Sequence, residues 1–121
     1  MARKTALIVF ALSSAFGHHS FQAEYDTAKP VRLEGVISEF DFVNPHAAIY
    51  LDAYGTQWWI ETASPAALSR RGVTKISLRE GMRVVVEGFQ ARDGSHKVKG
   101  IAVILPGGAK LLLDPSARGI E

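Results

Sequence analysis

Gln57-Trp-Trp-Ile-Glu-Thr-Ala-Ser-Pro-Ala-Ala-Leu-Ser-Arg-Arg-Gly72 changes its period halfway along. Residues 57–62 carry β-branched and aromatic side chains in a short run, which predicts a strand. From Ser64 the signals are helical. Ser64 is a cap, Pro65 occupies the first helical position and Gly72 stands past the end. This short helix therefore interrupts a chain that otherwise reads as strands. To its left, Ala47–Tyr54 predicts a second strand, and Gly55-Thr56 closes a hairpin into the third. Further left, Val31–Val43 alternates apolar and polar residues, with Gly35 inside it. Alternation marks a half-buried strand, and an internal glycine marks a bulge or bend. Asn44-Pro45-His46 is turn chemistry between strands one and two. To the right, Leu78–Met82 is a turn and Arg83–Arg92 a strand. Asp93-Gly94 is a hairpin turn, and Lys97–Leu105 is the next strand. Pro106-Gly107-Gly108 then leads to a last edge strand at Lys110–Leu113.

Three strands, a short helix and two more strands predict an all-β fold. It is a small five- to six-stranded OB-like Greek-key barrel with the helix between strands three and four. In it Gly35 lets the long first strand serve both sheets. A plain β-sandwich or a six-stranded barrel using Leu111–Leu113 is the alternative.

The start of the chain carries a different signal. Arg3 and Lys4 precede the apolar run Thr5–Leu12, and small residues Ser13, Ser14 and Ala15 follow. This is the order of a secretory signal. The run is shorter than the ~20 residues a membrane-spanning helix needs. Residues 1–17 are thus expected to be a removed signal peptide, and residues 18–121 a single domain, periplasmic or secreted, with no membrane span after processing. The chain has 14 basic and 12 acidic residues. Without Arg3 and Lys4 the balance is 12 against 12, which argues against nucleic acid as a partner. No cysteine is present, so disulfides, thiolate metal sites and thiol catalysis are excluded.

Processing leaves His18 and His19 at or near a free amine. Cleavage after Gly17 makes His18 a chelate of amine plus imidazole. Cleavage after Ala15 puts it third from the terminus, where amine, backbone nitrogens and ring wrap a metal ion. Either nitrogen set suits Cu(II). His46, on the turn between strands one and two, is a further imidazole at the barrel mouth, a position OB folds use for binding. The expected metal site is thus His18, His19 and His46, with copper as its ion. The alternatives without function are a polar mature start for the pair and a backbone-bonded ring for His46. His96, on the Asp93-Gly94 hairpin, is expected to be exposed and outside the site.

Other candidates are weaker. Trp58 and Trp59 face opposite sides of one strand, with Trp58 expected in the core and Trp59 nearer the surface. Phe40 with Phe42, and Tyr50 with Tyr54, are expected at core or rim. Glu61 is a candidate for partial burial and proton activity, but helping to fix the Ser64-Pro65 helix start, or pairing with Arg70 or Arg71, is the preferred reading. No Gly-x-Ser-x-Gly context, phosphate loop or paired-carboxylate spacing occurs. Arg70, Arg71, Lys75, Arg79 and Arg83 form one basic cluster, either an anion patch or a solvated helix end.

His18-His19-Ser-Phe21, Glu24-Tyr-Asp26, Asn44-Pro-His46, Trp59-x-Glu61, Ser64-Pro65, Leu68-x-Arg-Arg-Gly72 and Asp93-Gly94 occur in one order. Together they resemble a family of small exported bacterial proteins classed as a domain of unknown function. That resemblance implies export and a small β-barrel, and no activity. At fold level the plan also resembles exported bacterial OB-fold proteins, which says little about function. The sequence reading is therefore an exported binding protein with copper at the N-terminal histidines, more a binder than an enzyme. A cell-envelope interaction module binding a protein through its loops or edge strand is the second reading, and a copper-dependent redox enzyme the third.

Overall fold

The computed structural model describes residues 23–114. Six strands and one helix follow in order: β1 (Tyr25–Asp41), β2 (Ala48–Ala53), β3 (Thr56–Glu61), α1 (Pro65–Arg70), β4 (Arg83–Ala91), β5 (Lys97–Ile104) and β6 (Lys110–Leu112). Antiparallel ladders join β3 to β2, β2 to β1, β1 to β4 and β4 to β5. A parallel pairing of β3 with β5 closes the ring. This is the small OB-like barrel expected, with its helix between strands three and four.

β1 is long because it serves two partners. Residues 25–36 pair with β4 and residues 36–41 with β2, so the handover falls beside Gly35. A Cβ on Gly35 would lie 2.3 Å from the Asp52 carbonyl oxygen. Only glycine admits so close an approach of backbone to backbone. β5 also changes partner along its length. Its first three residues pair with β3, and Ala102, Val103 and Ile104 pair with β6.

The main core fills the barrel with Ile37, Ile49, Leu51, Ile60, Val86 and Val103, none measurably exposed, along with their neighbours. A second apolar cluster closes one mouth. In it Leu68 of α1 packs with Ala47, Ala63 and Val73, against Phe40, Phe42 and Leu111. The helix is set by its ends. Ser64 Oγ accepts from the Ala67 N–H, Pro65 opens the first turn, and the Arg71 and Val73 N–H groups donate to the Leu68 carbonyl. Phe40 and Phe42 meet edge to face, with centroids 5.6 Å apart.

Three expectations need correction. The first strand begins at Tyr25 and not at Val31. Pro30 reads as a strand breaker, yet it stands beside a register irregularity between Tyr25 and Pro30, where prolines are tolerated. The β2–β3 turn is Tyr54-Gly55 and not Gly55-Thr56. Both residues have positive φ, 55° and 77°, as a tight two-residue hairpin turn requires. Tyr54 is therefore an exposed turn residue and does not share a strand face with Tyr50. Finally, neither tryptophan is fully buried. Trp58 packs against the main core and edge-on to His96. Trp59 lies outside, with the Lys97 ammonium 5.3 Å from its ring.

Candidate functional site

The β3–β5 seam sets Glu61 opposite Lys99 in register. Both project from the same side of the sheet, where the start of β1 and the chain just after β6 reach them. Tyr25, almost fully buried, donates its hydroxyl to Glu61 Oε1 at 2.8 Å. Lys99 Nζ lies 3.1 Å from Asp114 Oδ2 and 3.9 Å from Glu61 Oε2. Lys99 and Asp114 are 6 % and 5 % exposed. Two carboxyl groups thus face one ammonium in a nearly dry site, beside Phe89, Ala91 and Ile101, which pack on Tyr25. Burial is the main cause that pushes the Tyr25 phenol far above its ordinary range. The hydrogen bond to Glu61 and the carboxylate's charge push it further in the same direction.

His46 stands at the open side of this cluster. Its Nδ1 is 3.1 Å from the Thr62 carbonyl oxygen and 3.7 Å from Glu61 Oε2. Both neighbours are acceptors, so Nδ1 carries a proton that points to them, and Nε2 is the ring nitrogen turned away from this contact. The ring is about half exposed, at 48 % of its side chain. The Asn44-Pro45 peptide before it is cis. Thr62, fully buried, holds the backbone here by donating its hydroxyl toward the Ala47 and Ala63 carbonyls.

His46 is therefore both bonded to backbone, as the plain reading had it, and available through its other nitrogen. A histidine whose second nitrogen donates to a carbonyl or carboxylate is arranged as metal-ligating histidines are. His18 and His19 lie outside the described residues. His96 is exposed, as expected, and packs edge-on to Trp58. Among the described residues no three His, Asp or Glu side chains come together as a metal-holding group. Glu61 is partly buried, but its partners are Tyr25, His46 and Lys99. Arg70 and Arg71 are exposed at the end of α1 and form no ion pair with it.

Sequence reasoning missed Tyr25, Lys99 and Asp114. Lys99 reads as an outward polar position of an alternating strand. Only the β3–β5 register, which the sequence does not display, sets it against Glu61. The Trp59-x-Glu61 and Glu24-Tyr-Asp26 pairings quoted above are the nearest signals, since each contains one member of the cluster.

A closed β-barrel carrying a buried charged cluster at its seam is the class of protein these features define. The chain belongs to a family of unknown function, DUF6152, whose model matches residues 6–101. No curated protein and no solved structure matches it.

Proposed function

We propose that the protein is a small exported binding module, periplasmic or secreted, that holds copper through His46 and the N-terminal histidines His18 and His19. The observation that carries this reading is the state of His46, with Nδ1 committed to the Thr62 carbonyl and Nε2 left to bind. Glu61 supports it from behind, as second-layer carboxylates support ligating histidines. The chain's course supports it too. Tyr25 and His46 touch the same Glu61 carboxylate. His19 lies six residues before Tyr25, within a reach of about 20 Å at about 3.4 Å per residue. A meeting of the pair with His46 is part of this proposal, and that span is its upper limit. Copper is favoured because nitrogen ligands bind it most tightly among the divalent ions. The test begins with the intact mass of the secreted protein, which fixes its terminus. Cu(II) titration then compares that species with one extended by a single Met. Weaker binding by the extended protein is expected, and equal affinity contradicts the amine chelate.

A second reading rests on β6. It is a short edge strand with Leu112 and Lys110 exposed, which suits addition of a strand from a cell-envelope protein. Copper-independent pull-down of one partner, abolished by Leu111→Pro, supports that reading. A redox enzyme needs an open copper position, so turnover with a reductant and oxygen separates it from a plain binder.

A further inference from the structure

Between Thr62 and Val86 the chain carries five cations and one acid, Glu80. The whole chain is only +2, so the charge is concentrated on the α1–β4 connection. Arg70, Arg71, Lys75 and Arg79 are all exposed. Among the described residues none of the four is in an ion pair. In their midst Ile76 is 74 % exposed, the barest large apolar side chain described. This is not a loose loop. Val73 and Leu78, each 1 % exposed, pin it to the two cores on either side. The turn between them is closed by Ser77 N–H to the Thr74 carbonyl at 2.9 Å and Thr74 N–H to Ser77 Oγ at 2.8 Å. The fold therefore holds Ile76 outward on a turn pinned at both sides, in a stretch of chain rich in exposed cations.

We propose that this tip docks on an anionic lipid bilayer, with Ile76 entering the interface and Arg70, Arg71, Lys75 and Arg79 lying among the headgroups. Interfacial binding combines buried apolar area with attraction to anionic lipid, and each juxtamembrane cation adds to it. An acidic protein partner would answer the charge but would leave the fixed apolar tip without a purpose. This docking surface stands independently of the copper reading.

The chain has no cysteine, so Ile76→Cys takes one environment-sensitive fluorophore, and Thr27→Cys, exposed near the far end of β1, serves as control. In the full chain, vesicles of phosphatidylcholine with 30 % phosphatidylglycerol should shift the emission of the Ile76 label and not that of the Thr27 label. Raising NaCl from about 50 to 500 mM should weaken the response at least tenfold, since screening acts within about 10 Å. Reversing Arg70, Arg71, Lys75 and Arg79 to Glu should weaken partitioning by at least a similar factor. An unchanged Ile76 label overturns the proposal. So does an equal response to pure phosphatidylcholine, which would trace binding to the apolar run at residues 5–12. A response to polyglutamate but not to vesicles also overturns it, in favour of an acidic protein.

Discussion

At the helix-covered mouth, Leu68 is fully buried among Ala47, Ala63 and Val73. At the β3–β5 seam, Lys99 is nearly as buried, but its neighbours are Asp114 and Glu61. The two places close the same barrel with different chemistry. Contacts in the first are non-directional, so a truncation loses area and leaves a cavity. In the second each charged group depends on the others, because removing one leaves a buried charge uncompensated. The mouth should therefore degrade gradually and the seam abruptly.

The largest expected effect is at the seam. Lys99→Ala removes the ammonium that faces the Asp114 and Glu61 carboxyl groups and should cost about 3–5 kcal/mol. That is a large part of the ~5–15 kcal/mol holding a typical domain, so denaturant unfolding should detect it easily. Lys99→Met combined with Asp114→Leu should recover much of the loss, because a well-packed apolar replacement of a buried pair is often neutral. A cost below about 1 kcal/mol for Lys99→Ala would erase the contrast between the two regions.

Next comes the mouth. Leu68→Ala should cost about 2–5 kcal/mol by transfer and cavity terms. A shift within ~0.5 kcal/mol, as at surface sites, would mean that α1 does not close the barrel. Gly35→Ala tests the bend that lets one strand serve both partners. Its Cβ would strike the Asp52 carbonyl, and the overpacking should cost about 1–3 kcal/mol.

Tyr25→Phe should have an effect no larger than that of Gly35→Ala, since it removes one side-chain hydrogen bond to Glu61, a loss of about 1–3 kcal/mol at pH 7. Its pH dependence is more specific. The folded phenol titrates above the unfolded one. The stability gained by keeping it neutral is full below the unfolded pKa of about 10 and is lost as pH rises beyond it. Wild type should thus lose stability between pH 9 and 11 more steeply than Tyr25→Phe. Parallel loss in both proteins would remove Tyr25 from the titrating cluster.

The same contrast explains which features the sequence displays. Ser64, Pro65 and Gly72 mark α1 by local chemistry, and Leu68 falls on its apolar face, so the mouth is legible residue by residue. The strand order follows from hairpin signals at Asp93-Gly94 and from Gly35. Glu61 and Lys99 are 38 positions apart and meet only through the parallel register of β3 with β5. No local pattern encodes that register. Tyr25 was hidden for a related reason, because Thr27-Ala-Lys-Pro30 interrupts the alternation that would have extended β1. His46 was visible as a turn histidine, but which of its nitrogens is engaged depends on the Thr62 carbonyl across the loop.

The central claim is that His46 lends Nε2 to a copper site completed by the N-terminal histidines. Electron paramagnetic resonance of the processed protein loaded with one equivalent of Cu(II) tests it most directly, read against His46→Ala prepared with the same terminus. The account predicts nitrogen hyperfine structure that loses one imidazole in His46→Ala, with affinity at least tenfold weaker. Identical spectra and affinities for the two proteins would contradict it.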